Sequence, residues 1–168
     1  MNMADFVIFD LETTGFNTES CKIIEFGGIL IKNGEVVRDC SILINPLCCV
    51  PPKISQLTGI TTSMVMQEPT IYDVYDDIVN FIGQNTLVGY NIDNFDMKFL
   101  NNIALEIDGQ CLKNKTMDIL PIMRSKYPSE RYSLEAMADR IGYEYKAHRA
   151  LNDCYAVYNI MKVYGLLN

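Results

Sequence analysis

Phe6-Val7-Ile8-Phe9 is an unbroken apolar run that gives way at once to Asp10-Leu11-Glu12 and then to Thr13-Thr14-Gly15-Phe16. Four consecutive β-branched and aromatic residues suit a strand buried on both faces. So short a run does not separate strand from helix by periodicity. The Thr-Thr-Gly turn chemistry that closes it favours the strand. Side chains alternate along a strand, so Asp10 and Glu12 face the same side. Two same-side carboxylates at the end of a buried strand are costly unless a positive charge lies between them. Hard divalent cations such as Mg²⁺ or Mn²⁺ take oxygen ligands of this kind. An isolated D-x-E reads better as a strand end fraying into solvent, so the argument needs further acids at the same place.

The chain continues with strands and then with helices. Ile23 to Ile31 and Val36 to Ile44 read as strands joined by a turn at Asn33-Gly34, a hairpin signal. A short helix is expected over 53–58, stopped by Gly59, and a longer one from Ile71 to Phe81 after Thr70 as its cap. Leu87-Val88-Gly89-Tyr90 reads as a short buried strand, followed by a helix capped by Asp93 or Asn94. Thr116 to Met123 is mixed, Ser133 caps a helix ended by Gly142, and a last helix runs from about Ala150 to Tyr164. Three leading strands followed by interleaved helices and short strands imply an α/β fold, a mixed sheet covered by helices.

The 168 residues read as one domain, with a 49% hydrophobic and 21% charged composition that supports a substantial core. No apolar run is long enough to span a membrane, and Met1 to Asp5 lack the features of a signal peptide, so a cytoplasmic location is expected. The six cysteines hold no C-x-x-C pair and there is one histidine to join them, which excludes a usual zinc site; most are expected to be buried, reduced thiols. A net charge of −7 argues against nonspecific nucleic-acid binding through a basic surface. The charge is uneven: residues 1–84 carry 11 acids against 4 bases, and residues 85–168 carry 10 of each. Any polyanion contact is expected on the second half, where Lys113, Lys115, Arg124, Lys126 and Arg131 cluster, although singly each suits a solvated face.

Two more acids stand out. Asp96 sits at the first turn of a helix that follows a buried strand, and Asp153 at the start of the last helix. Each alone is explained by the helix dipole or by capping. His148 precedes Asp153 by five residues, which on a helix would leave the side chains about 140° apart. If both serve one site, His148 must lie on the loop entering that helix.

These residues resemble the DnaQ-like, or DEDD, superfamily of 3′→5′ exonucleases, histidine subtype. The first family motif corresponds to Phe9–Gly15, the second to Gly89–Asp96 and the third to His148–Asp153, with Ser133–Ala138 between them. One D-x-E is weak evidence, but three motifs in family order across nearly the whole chain are strong evidence. Tyr90 stands where many relatives carry histidine, and one extra residue separates Asn91 from Asp96. That spacing resembles the proofreading exonuclease domains of replicative polymerases such as bacterial DNA polymerase III.

The resemblance implies a ribonuclease H-like fold with a five-stranded mixed sheet, its first three strands an antiparallel meander, in a single 3′→5′ exonuclease domain over 1–168. It implies that Asp10, Glu12, Asp96 and Asp153 hold two divalent metal ions, Mg²⁺ or Mn²⁺, with His148 as general base. Thr13, Thr14, Gly15, Phe16, Asn91 and Phe95 are the residues expected to meet the substrate, the Thr13–Thr14 amides at a terminal 3′-hydroxyl and the two phenylalanines by stacking. The implied partners are the 3′ end of single-stranded DNA and a replicative DNA polymerase. Basic residues are too few to decide DNA against RNA, so an RNA-trimming enzyme of the RNase T or oligoribonuclease kind stands as the alternative. A non-catalytic binding module is a further alternative, but it would need neither the four acids nor the histidine.

Overall fold

The computed structural model describes residues 5–167. Residues 1–4, most of the stretch read above against a signal peptide, lie outside the described residues. Strands β1 (Phe6–Thr13), β2 (Ile23–Lys32) and β3 (Glu35–Leu43) form an antiparallel meander. Asn33 and Gly34 turn the hairpin with positive φ at both positions, 52° and 78°, as a two-residue I′ turn requires. Strands β4 (Thr86–Gly89) and β5 (Thr116–Asp118) continue the sheet in parallel from the other side of β1, so the order is β3-β2-β1-β4-β5. The apolar run thus became the central strand, and the carboxyl ends of β1, β4 and β5 share one rim. In open α/β sheets that rim is where ligands bind.

Seven helices follow among the described residues: α1 (Pro52–Thr58), α2 (Thr62–Val65), α3 (Ile71–Ile82), α4 (Asp96–Asp108), α5 (Ile119–Lys126), α6 (Leu134–Arg140) and α7 (Ala150–Val163). The single turn α2 is too short to carry a periodic signal. Strand β1 serves both faces of the sheet. Val7, Phe9 and Leu11 join Val74, Ile78, Phe81, Phe99 and Leu100 from α3 and α4. Phe6 and Ile8 join Met137 of α6 and Cys154, Val157, Ile160 and Met161 of α7. By alternation Asp10 and Glu12 lie on this second face. That phase brings α7, and Asp153 with it, to the two acids of β1.

Helix α7 comes this close because β2 has no side chain in its way. A Cβ at Gly27 would collide with the backbone of Ala150 and Leu151. Two expectations are corrected. Only Cys154 is buried among the six free cysteines; Cys48, Cys49 and Cys111 are exposed, because they fall on loops rather than on core faces. Helix α4 begins at Asp96, with Phe95 at its cap position and no side-chain cap, so neither Asp93 nor Asn94 caps it. Instead 91–95 form a turn in which Met97 N donates to Ile92 O at 2.9 Å, an i to i+5 bond that absorbs the extra residue. Asn91 opens the turn in the left-handed region with φ 64°.

Candidate active site

At the carboxyl end of β1 a cavity of about 450 Å³ is lined by Asp10, Glu12, Asp96 and Asp153, with His148, Phe16, Asn91 and Phe95 around them. Four elements meet here: β1 supplies two acids, α4 and α7 one each from their first turns, and the loop before α7 the histidine. Asp96 is 3% exposed, and its Oδ1 accepts the Leu11 amide at 2.9 Å, which ties α4 to β1 between Asp10 and Glu12. His148 lies on the entering loop with φ 60°, in the left-handed region. Ligand atoms of Glu12, His148 and Asp153 all fall within 4.8 Å of one another.

The electrostatics of the protein alone are unfavourable. Burial pushes the Asp10 carboxyl well above its usual range, and the charges of Asp96, Asp153 and Glu12 add to the shift. Glu12 is pushed up to about 8 by burial and by the neighbouring Asp153 and Glu25 carboxylates. Asp96 is pushed up to about 8 by burial, against the Leu11 amide that favours its ionised form. Asp153 rises to about 7 for the same first reason, against the Tyr145 hydroxyl that donates to its carboxylate. Carboxylates crowded in this way are relieved by protonation or by a cation. All-oxygen donors with one imidazole suit a hard divalent ion, so the residues present fit the metal that the sequence implied.

The remaining expected residues divide. Phe16 is 73% exposed, and its ring lies 6.2 Å from that of Phe95, which packs edge-on against Phe99 at 5.0 Å. Phe95 therefore joins the core to the cavity wall, and Phe16 projects from it. Thr13, Thr14 and Gly15 do not line the cavity. The Thr14 amide donates to Lys22 O at 2.8 Å and its hydroxyl accepts from the Lys22 amide at 2.9 Å, while Thr13 Oγ1 donates to Gly15 O. These groups hold the turn that presents Phe16, and the Thr14 amide is not free for a 3′-hydroxyl. Of the five clustered basic residues none lines the cavity.

The sequence model of a family described as Exonuclease matches residues 7–161. The chain belongs to this exonuclease family. It is 38% identical over 160 residues to a PolC-type DNA polymerase III of Clostridium perfringens, covering 94% of this chain and 11% of that protein. It is 34% identical over 150 residues to the DNA polymerase III epsilon subunit of Aquifex aeolicus, covering 88% of this chain and 74% of that subunit. The chain thus spans a small part of its PolC-type relatives and most of the epsilon subunit. The zinc-bound complex of Escherichia coli exonuclease I with single-stranded DNA shares the fold, with a TM-score of 0.86 at 21% identity over 98% of this chain and 41% of that one. Exonuclease X in complex with 5′-overhanging duplex DNA gives a TM-score of 0.75 at 25% identity, over 95% of this chain and 93% of that one.

The cavity is also shaped by residues that sequence reasoning passed over. Glu25 is 1% exposed on β2, opposite Glu12 in the strand register. It accepts two hydrogen bonds from Arg149 Nε, at 3.1 and 3.2 Å, one from Arg149 Nη2 at 2.7 Å, and one from the Ala150 amide at 2.9 Å. This bracket fixes the two residues that follow His148 and so sets where α7 enters. An acid inside the otherwise apolar run Ile23-Ile24-Glu25-Phe26 was its signal, since a buried carboxylate demands a partner. Asp118, at the end of β5, accepts the Asn91 amide at 2.8 Å and caps α5 through Leu120, which holds the second motif's turn against the sheet. Glu135 pairs with His148 Nε2 at 3.0 Å. Tyr145 lines the cavity beside Asp153. Neither Glu135 nor Tyr145 gives a sequence signal, because only the fold brings α6 and the 143–149 stretch to β1.

Proposed function

We propose that this exonuclease domain, residues 1–168, hydrolyses the terminal phosphodiester bond at the 3′ end of single-stranded or frayed DNA and releases nucleoside 5′-monophosphates. In this reading Asp10, Glu12, Asp96 and Asp153 hold two divalent ions, Mg²⁺ or Mn²⁺. The observation that carries the reading is the convergence of four carboxylates, Asp96 and Asp153 buried and Asp10 and Glu12 half-buried, and one loop histidine on a single cavity in a chain of the exonuclease family. The relatives named as polymerase III proteins support a cytoplasmic proofreading role beside a replicative polymerase. Structural relatives crystallised with DNA favour DNA over RNA as substrate.

When bound, divalent ions would lower the pKa of a water so that it readily gives up a proton and becomes nucleophilic, and would supply positive charge to offset the charge on the leaving 3′-oxygen. The chain's own residues do the rest. The water oxygen bonds to phosphorus as the bond from phosphorus to the 3′-oxygen breaks, and His148 accepts the proton that the water loses. The loop position of His148 lets it approach from outside the acid cluster. Phe16 and Phe95 offer rings to the terminal bases, and base–aromatic stacking tolerates any sequence. Asn91, at the cavity edge, orients the terminal nucleotide.

The test is a gel assay with 5′-labelled single-stranded DNA, duplex DNA and RNA, each with Mg²⁺, Mn²⁺ or EDTA. Expected is stepwise shortening of single-stranded DNA from the 3′ end, blocked by a 3′-phosphate and by EDTA. Cleavage of a circular strand would overturn the reading, and faster shortening of RNA would move it to the RNA-trimming alternative.

A second assignment for His148 has its own support, because its ring lies within ligand distance of Glu12 and Asp153. The two roles separate cleanly. As general base, His148→Ala should slow turnover by about 10²–10⁴-fold and leave Mn²⁺ affinity intact when measured by thermal shift. A parallel loss of Mn²⁺ affinity would make His148 a ligand instead.

A further inference from the structure

Asp153 is gripped by the stretch of chain that leads into its own helix. The Tyr145 hydroxyl donates to its carboxylate, and the backbone amide of His148 also favours its ionised form. Both atoms of the phenol–carboxylate contact, Tyr145 Oη and Asp153 Oδ1, are buried, and neither has another hydrogen-bond partner among the described residues. Burial pushes the Tyr145 phenol well above its ordinary range, so at neutral pH it keeps its proton and is the donor of the pair. The tyrosine is itself held in place. Its ring stacks on Tyr143 at 5.8 Å and 24°, and its backbone lies on a stretch tied down further along. There Asn152 Nδ2 donates to Lys146 O at 2.9 Å, and the Ala150 amide donates to Glu25 at 2.9 Å. A carboxylate with one oxygen fixed to such a donor cannot turn freely, so the direction of its other oxygen is set as well.

We propose that Tyr145 is a positioning residue for the metal site, its hydroxyl holding one oxygen of Asp153 so that the other is presented to a divalent ion. The proposal rests on the metal-dependent reading above and extends it to a residue outside the family motifs. A hydrogen bond to a ligating carboxylate fixes its orientation, and losing such a partner typically costs about 10–100-fold in metal affinity or activity. The same bond ties the loop of His148, held in the left-handed region at φ 60°, to a ligand of the ion that its imidazole serves. A bond that merely satisfied a buried hydroxyl would register in stability and leave metal binding alone.

Tyr145→Phe in the intact chain keeps the ring and its stacking and removes the donor. The probe is Mn²⁺ alone, its binding followed at neutral pH by the electron paramagnetic resonance signal of the free ion. Expected is a Mn²⁺ affinity lowered about 10–100-fold. Turnover of a 5′-labelled oligothymidylate should need correspondingly more Mn²⁺ and return at saturating Mn²⁺ to within a few-fold of the unaltered protein, with KM for the oligonucleotide little changed. Asp153→Asn should lose more affinity than Tyr145→Phe, and the double variant little further, because the two groups act through one ligand. An unchanged Mn²⁺ affinity in Tyr145→Phe would overturn the proposal, whatever the melting temperature does. An equal loss with and without Asp153→Asn would overturn it too, by placing the hydroxyl's effect at another group. So would a loss of turnover that saturating Mn²⁺ does not relieve, which would put the hydroxyl at the substrate. If the unaltered protein binds no Mn²⁺, the metal reading and this proposal fall together. If it binds Mn²⁺ and leaves the oligonucleotide uncut, the exonuclease substrate reading falls and the affinity comparison still decides the role of Tyr145.

Discussion

Asp10→Asn is expected to remove turnover, by on the order of 10³-fold or more, beyond the ~10²–10³ that losing one transition-state donor costs. The same change should raise the stability of the metal-free protein at pH 8. Both effects have one cause. Asp10 faces the other acids of the cluster, and burial followed by the charges of Asp96 and Asp153 drives its carboxyl well above the usual carboxylate range. Glu12 and Asp96 are each pushed up to about 8, and Asp153 to about 7. A group that holds its proton more tightly folded than unfolded makes the folded state bind more protons, so stability falls as pH rises between the two values. The metal-free protein should therefore lose stability from about pH 4 to about pH 8, and a divalent ion should restore it. Asparagine keeps the shape of Asp10 without a charge, so Asp10→Asn should flatten that slope and narrow the gain from Mn²⁺. Thermal melts from pH 5 to pH 8.5, with Mn²⁺ and with EDTA, check the slope beside a turnover assay. Turnover at the unaltered rate, or a metal-free melting temperature that drops at pH 8, would remove Asp10 from the metal site.

The parts of this molecule that were legible in sequence are those written in local patterns. The apolar run ending in Asp10-Leu11-Glu12 announced a central strand, and Asn33-Gly34 announced the hairpin. Helical spacing gave α3 and α7. The convergence of the acids was legible only through the order of three motifs, because no local rule says that a helix beginning at Asp96 must dock beside Leu11. Contacts that exist because of the fold were not legible. Glu25 and Arg149 lie 124 residues apart in the chain, and their pairing depends on Gly27 letting α7 settle on β2. Asp118 was hidden by its ordinary setting as an acid ahead of a helix, where capping explains it fully. Thr13 and Thr14 carry a second, local role that motif membership did not announce: the Thr13 hydroxyl and the Thr14 amide and hydroxyl are hydrogen-bonded within the turn that presents Phe16.

Asp96 and Asp93 provide the sharpest separation of motif from neighbourhood. They lie three residues apart, and helical spacing would have put both on one face. The turn at 91–95 breaks that relation. Asp96 is buried, lines the cavity and holds the Leu11 amide through Oδ1, whereas Asp93 is exposed and does not line the cavity. The backbone amide of Asp93 reaches toward Asp118 at 3.4 Å, which needs no carboxylate on Asp93 itself. Asp96→Asn should therefore fall in activity by orders of magnitude while folding normally, because the asparagine carbonyl still accepts from Leu11. Its metal-free melting temperature should hold or rise, since the change removes one buried carboxylate that burial disfavours. Asp93→Asn should be close to neutral in both respects, within the ~0.5 kcal/mol usual for surface changes, because no helix cap is lost. Turnover and melting curves on the two variants decide the matter together. If Asp93→Asn is the inactive one, the extra residue has moved the catalytic acid to the other side of the turn, and the i to i+5 bond at Met97 must open when substrate binds. If both lose activity while both stay folded, the turn carries two acids into the metal site and the count of four is one short.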